Sequence, residues 1–234
     1  MQMYVGTSGF SYKEWKGPFY PKDLPNKDML RYYGARLPAV EINNTFYRMP
    51  NEGTLIAWAE MVPSNFRFVL KAPRRITHIK PLVDKSADIR YLFETAEALG
   101  DKLGAILFQL PPFLHKNTTL LETFLDNLPP GARAVLEFRH PSWFDADVYT
   151  LLGAKKCALC CSDTENEELV KFVATTDWGY LRLRRSNYAE NELKAWAEKI
   201  SGLNWRSVYA FFKHEDAGRG PELAQLFSEL ALDL

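Results

Sequence analysis

The chain has 234 residues, carries 29 lysines and arginines against 29 aspartates and glutamates, and is 47% hydrophobic. At ~100–200 residues per domain, that is one large domain or two small ones, with enough chain to bury a core unaided by staples. The hydrophobic fraction argues against a disordered chain. The zero net charge argues against a strongly basic, histone-like protein but leaves room for a local basic cleft.

The opening Met1-Gln2-Met3-Tyr4-Val5-Gly6 lacks a basic stretch followed by an apolar one and reads as the start of a strand. No apolar run approaches the ~18 residues of a membrane span, so no membrane association is expected. The three cysteines, Cys157, Cys160 and Cys161, form an odd, clustered set. That is a poor disulfide framework, so a cytoplasmic location is expected.

In chain order, short apolar runs alternate with longer amphipathic segments. Strands are predicted at 3–7, 39–42, 66–70, 105–108, 134–138, 157–161, 180–183 and 207–212. Helices are predicted at 27–37, 53–61, 89–99, 119–128, 146–152, 190–200 and 221–232, with Asp88 capping the third and Pro221 opening the last. Between Asp163 and Asp177 the helical pattern fades to at most a short turn around Glu165 and Leu169. The strand segments are nearly continuous apolar runs, the signature of parallel strands covered on both faces. Eight of them alternating with helices predict an α/β fold: one (β/α)8 TIM-like barrel over residues 1–234, with an open doubly wound sheet as the structural alternative.

Almost every run ends in polar residues. Val40 leads to Glu41, Asn43 and Asn44; Leu70 to Lys71; Phe108 to Gln109; Leu136 to Glu137, Arg139 and His140; Cys161 to Ser162 and Asp163; Leu181 to Arg182 and Arg184; Phe212 to Lys213 and His214. Strand alternation puts Glu41 with Asn43, Glu137 with Arg139, and Arg182 with Arg184 on shared faces. In a barrel, all the C-terminal strand ends open on one mouth, where active sites sit. Five cations (Lys71, Arg139, Arg182, Arg184 and Lys213) then meet three acids (Glu41, Glu137 and Asp163). Such a mouth attracts phosphate or carboxylate. A network of ion pairs closing the barrel top is the alternative reading of the same residues.

The candidate chemistries separate on residue type. Zinc hydrolase barrels need several histidines with carboxylates. The chain has only His78, His115, His140 and His214, none at His-x-x-x-His spacing, so no zinc cluster is expected. Glu41, Glu137 and Asp163 are left either to pair with arginines or to hold one magnesium or manganese ion. Cys157 and Cys160 fall on opposite strand faces and read as buried small hydrophobes. Glu41 and Glu137 are a carboxylate pair of the kind glycosidases use, although neighbouring cations would hold both ionised. Asp163, His78 and His140 are further candidates for proton transfer, and loop capping is the competing role of each histidine. No dinucleotide fingerprint, phosphate-binding P-loop or nucleophile elbow is present. Gly6-Thr7-Ser8-Gly9 reads either as a strand-ending turn or as an anion cradle. Aromatic residues follow strands 1, 2 and 5. Trp15 and Trp143 read as pins of loop cores, whereas Tyr47 beside Arg48 suits ligand stacking equally well.

Five segments carry a family resemblance. Residues 6–15 with Phe19-Tyr20-Pro21, then 40–50 (Val-Glu-Ile-Asn-Asn-Thr-Phe-Tyr-Arg-Met-Pro), 71–78 (Lys-Ala-Pro-Arg-Arg-Ile-Thr-His), 109–112 (Gln-Leu-Pro-Pro) and 137–144 (Glu-Phe-Arg-His-Pro-Ser-Trp-Phe) resemble the YecE-like family, a domain of unknown function. The matches run in order from Gly6 to about Asp163 and more loosely beyond. The resemblance implies a single TIM-barrel-like domain and no particular reaction; likeness to sugar isomerase or endonuclease barrels is one of fold only. The family often has Arg-Leu-His-Gly after the seventh strand and Tyr-Phe-Asn-Asn after the eighth. Here those stretches are Arg182-Leu183-Arg184-Arg185 and Phe211-Phe212-Lys213-His214, so cations replace a histidine and an amide.

The expected function is binding of a phosphorylated sugar, a nucleotide or nucleic acid at the mouth, with hydrolase or isomerase activity. In it, Arg139, Arg184 and Lys71 clamp the anion, Glu41 or Glu137 acts as base or metal ligand, Asn43 and Gln109 orient the substrate, and Tyr47, Arg182 and Lys213 are further ligand-binding candidates. The alternatives are a non-catalytic binder using the same mouth and a sugar-active enzyme using Glu41 and Glu137.

Overall fold

Strand alternation decides what faces inward in the computed structural model, which describes residues 1–165, 170–213 and 218–232. The strands are β1 (Gln2–Ser8), β2 (Ala39–Ile42), β3 (Arg67–Lys71), β4 (Leu103–Gln109), β5 (Ala134–Glu137), β6 (Ala158–Asp163), β7 (Trp178–Leu183) and β8 (Ser207–Phe212). They form a closed barrel in sequence order, every pairing parallel, with β1 hydrogen-bonded to both β2 and β8. This is the (β/α)8 TIM-like architecture, not an open sheet.

Alternate residues fill two cores. Tyr4, Ala39, Val69, Ala105, Leu107, Val135, Cys160, Tyr180, Tyr209 and Phe211 pack inside the barrel. Val40, Phe68, Leu70, Ile106, Phe108, Leu136, Cys161, Leu181 and Phe212 pack outward under the helices. Each large apolar side chain so buried contributes ~1.5–3 kcal/mol relative to exposure, and both faces of every strand take part. β1 and β2 approach so closely that a Cβ on Gly6 would lie 1.8 Å from the Ala39 carbonyl oxygen.

The helices are α1 (Met29–Gly34), α2 (Glu52–Met61), α3 (Arg74–Thr77), α4 (Ser86–Ala96), α5 (Thr118–Asp126), α6 (Ala146–Ala154), α7 (Glu190–Ser201) and α8 (Arg219–Leu232). Asn51 and Asn117 cap α2 and α5, each side chain accepting from a backbone N–H at 2.9 Å. Several helix bounds differ from the sequence pattern: α4 ends at Ala96, α5 at Asp126 and α6 at Ala154. The helix predicted at 27–37 shortens to α1 after a 3-10 turn at Asn26–Asp28. Asp88 does not cap α4. It lies inside the first turn, where it favours the positive helix end and pairs with Arg75 at 3.1 Å. α8 starts two residues before Pro221, which is tolerated because first-turn N–H groups have no helical partner. α3 carries no apolar periodicity in the sequence and was not predicted. The weak helical segment between Asp163 and Asp177 includes residues 166–169, which lie outside the described residues, as does His214.

Candidate functional site

Reading alternation up each strand, the inward positions at the C-terminal end are Ser8, Glu41, Lys71, Gln109, Glu137, Ser162 and Arg182. Asn43, Arg139 and Arg184 stand two residues further on. At the centre is Arg182, with 2% of its side chain exposed. Its Nη2 donates to Glu41 Oε1 at 2.7 Å and its Nη1 to Glu137 Oε2 at 2.6 Å. One guanidinium thus ties β2, β7 and β5 across the barrel.

Both carboxylates are further satisfied. Glu41 accepts from Tyr180 OH (2.6 Å), Ser8 Oγ (2.8 Å) and Asn43 Nδ2 (3.2 Å). Glu137 accepts from Gln109 Nε2 (2.8 Å) and Arg139 Nε (3.2 Å), with Arg184 Nη1 at 3.6 Å. Burial pushes the Glu137 carboxyl up, but Arg182, Arg139 and Arg184 outweigh it and hold the group at about 2. At Glu41, burial is likewise outweighed by Arg182, and the group is held below its usual value.

Further cations lie around this network. Arg184 is mostly buried, and its Nε meets no acceptor among the described residues. Arg139 is 35% exposed. Together they line a cleft of about 390 Å³ with Pro112, Glu137, Phe138 and Ser162. Glu165 lines it too, accepting from the Ser186 backbone N–H at 2.6 Å. Lys71 is half-buried with its ammonium 4.4 Å from the centre of the Phe46 ring. Lys213 is exposed just past β8.

The other candidates fall elsewhere. Asp163 is not brought into the cluster. Ser162 follows Cys160 on the inner face, so Asp163 faces α7, accepting from Trp196 Nε1 (3.1 Å) and Arg185 Nε (3.2 Å). The three acids therefore do not converge, and a divalent ion shared by Glu41 and Glu137 would occupy the place of the Arg182 guanidinium. Among the described residues no group of three His, Cys, Asp or Glu side chains is placed to hold a metal ion. His78 pairs with Thr77 Oγ1 at 2.8 Å and packs edge-on against Phe46. Burial and the cations Lys71, Arg139 and Arg74 push its pKa down, which keeps the imidazole neutral. His140 accepts from the Ser142 backbone N–H, capping the 3-10 turn at Pro141–Trp143, and its ring lies against His115. Tyr47, 77% exposed, lines a separate groove of about 310 Å³ with Arg48, Arg74, Arg75 and Tyr91.

Trp15 and Trp143 are buried; Trp143 Nε1 donates to the Leu114 carbonyl. Gly6-Thr7-Ser8 belongs to β1, and Ser8 contributes a hydroxyl rather than an anion cradle. All three cysteines are buried, and burial pushes Cys157 and Cys161 up to about 12. Two members of the network, Ser8 and Tyr180, were not anticipated. The signal for Tyr180 was its alternation with Arg182 and Arg184.

Similarity to known proteins agrees with this fold. A crystal structure of a DUF72 family protein from Thermotoga maritima superimposes with a TM-score of 0.89 at 28% identity, covering 100% of both chains. One from Enterococcus faecalis gives 0.83 at 19% identity, over 99% of this chain and 96% of the other. Among curated relatives, the UPF0759 protein YunF of Bacillus subtilis (strain 168) is 22% identical across 97% of this chain and 94% of its own length. The UPF0759 protein YecE of Escherichia coli (strain K12) is 27% identical over 61% of this chain and 50% of its own. The family model for the protein of unknown function DUF72 matches residues 4–233, and the chain belongs to that family.

Proposed function

We propose that the mouth binds a small anionic ligand, a phosphorylated or carboxylated molecule, held by Arg139 and Arg184. The observation that carries this reading is the Arg184 Nε: an enclosed guanidinium donor without an acceptor among the described residues, on the wall of a cleft. An unmet buried donor is costly, and an oxyanion would satisfy it with a charge-assisted hydrogen bond. The volume of about 390 Å³ suits a sugar phosphate or nucleotide rather than a larger body. Arg182 has a different part. Its two carboxylate partners make it the frame that aims the other two arginines.

The same geometry weighs against the glycosidase reading. That chemistry needs one protonated carboxyl as acid, and both glutamates are held ionised. A second reading, an extended nucleic-acid ligand, is favoured by one observation: exposed Tyr47 with Arg48, Arg74 and Arg75 in a separate groove offers a stacking face among cations.

Calorimetry with phosphate, sugar phosphates, nucleotides and short single strands tests both. Arg139→Ala and Arg184→Ala should each weaken phosphate-bearing ligands about 10-fold or more, the worth of a charge-assisted bond of ~1.5–3 kcal/mol. Tyr47→Ala should leave small ligands untouched and weaken only strands, if strands bind. No oxyanion binding, or binding indifferent to both arginine variants, overturns the proposal.

A further inference from the structure

Lys71 is an odd member of an anion clamp. It is the inward residue at the end of β3, and Arg182, Arg139, Glu137 and Glu41 are the charged groups whose fields reach it, with His78 beyond the same strand end. Yet it forms no ion pair among the described residues, because Arg182 holds both glutamates and Arg139 and Arg184 crowd Glu137. Its ammonium rests on the Phe46 ring, a weaker attraction than a carboxylate. His78 packs on the edge of that same ring as a neutral imidazole.

We propose that Lys71 is a nucleophilic amine that forms an imine with the carbonyl group of a ligand whose phosphate or carboxylate is held by Arg139 and Arg184. The proposal rests on the anion-binding reading above and narrows it to small aldehydes or ketones carrying an oxyanion. The chemistry follows from the surroundings. Half-burial and the neighbouring guanidiniums disfavour the ammonium form and push Lys71 down to about 8, so a useful fraction is neutral near pH 7–8. The amine lone pair attacks the carbonyl carbon and the carbonyl π pair moves to oxygen, which takes a proton. The nitrogen then loses its protons as the oxygen leaves as water. One amine and one carbonyl become one imine and one water, with no change in oxidation state. His78 supplies a neutral imidazole beside the lysine for the proton movements.

The test uses pyridoxal 5′-phosphate and pyridoxal, each followed by borohydride reduction and peptide mapping. Pyridoxal phosphate should modify Lys71 at least 10-fold faster than any other lysine, with a pH midpoint of about 8. It should outpace pyridoxal at that site at least 10-fold, and the advantage should vanish in Arg139→Ala and Arg184→Ala. Lys71→Arg, which keeps the charge, should lose the adduct and keep phosphate binding. If pyridoxal modifies Lys71 as fast as its phosphate does, the amine stands and the anion site fails. If modification spreads evenly over surface lysines, the amine proposal is overturned even where calorimetry shows phosphate binding.

Discussion

Two buried charges in this mouth illustrate opposite outcomes of desolvation. Arg182 is enclosed but meets two carboxylates at 2.6–2.7 Å, so its charge is compensated and its proton held more firmly than usual. Lys71 is partly desolvated among cations and loses its proton more readily. The signs follow from linkage. The pKa of Lys71 is about 8 in the fold against 10.5 ordinarily, so the unfolded chain binds more protons between those values. The lysine therefore lowers stability below about pH 8, and the penalty fades as pH rises toward 10.5. Lys71→Met should raise stability at pH 7 by ~1 kcal/mol, a figure discounted for partial exposure, and by almost nothing above pH 10.5. Denaturant titrations at the two pH values check this. Equal or lower stability of the variant at pH 7 would show that Lys71 is not strained by its neighbours.

At the scale of elements, the tightest constraint is the β1–β2 seam. Gly6 leaves no room for a methyl group against the Ala39 carbonyl, and backbone cannot swing aside as a side chain can. Gly6→Ala should destabilise by ~1–3 kcal/mol, read by thermal melting, and should weaken ligand binding as well, because Ser8 and Glu41 lie on these two strands. A melting point within a degree of wild type would refute the seam as a constraint. The same strands show what was legible in sequence. Apolar runs located all eight, because a parallel strand covered on both faces has no polar side to hide. The C-terminal ends of β2, β7 and β8 fall where the apolar runs stop, β5 ends one residue sooner at Glu137, and four strands run further. β1, β3, β4 and β6 continue into Ser8, Lys71, Gln109 and Asp163, since polar residues at a strand end still pair along the backbone whichever way they face. Alternation was enough to place Glu41, Gln109, Glu137, Arg182 and Arg184 on one face. Applied from Cys160 it also sends Asp163 outward, a step that counting acids at strand ends overlooks. Ser8 and Tyr180 stayed hidden for another reason. A hydroxyl in an apolar run looks like filler until the carboxylate it bonds to is in view. Amphipathic spacing placed the starts of α2, α5, α6 and α7 to within a residue, and α3 was illegible, because four residues are too few for a period.

On the scale of the whole molecule, the zero net charge conceals an uneven distribution: guanidinium and ammonium groups gather at one end of the barrel, where two buried carboxylates pair with the guanidiniums of Arg139, Arg182 and Arg184. Closure therefore depends on those carboxylates staying ionised. Glu137 titrates at about 2 in the fold against 4.5 ordinarily, and Glu41 is shifted in the same direction. Its stabilising contribution is complete above about pH 4.5 and is lost as pH falls through about 2. The melting temperature should thus vary little with this network from pH 7 to 5 and fall steeply below. Arg182→Met should reverse that trend. It strands two buried carboxylates, at a cost of ~3–5 kcal/mol at neutral pH. Burial is then opposed by Arg139, Arg184, Lys71 and hydrogen bonds without the strongest partner, so the carboxyl values should rise above their ordinary 4.5 and the variant should gain stability as pH falls from 7 toward 5. Adding Glu41→Gln and Glu137→Gln to Arg182→Met removes the stranded charges. It should recover much of the loss and flatten the pH dependence, which also keeps the test readable if the single variant folds poorly. Melting curves by circular dichroism at fixed ionic strength follow all three proteins. Parallel pH profiles for wild type and Arg182→Met would mean that the barrel is closed by its apolar layers alone and that the ionic bridge between β2, β5 and β7 serves only to position Arg139 and Arg184 at the mouth.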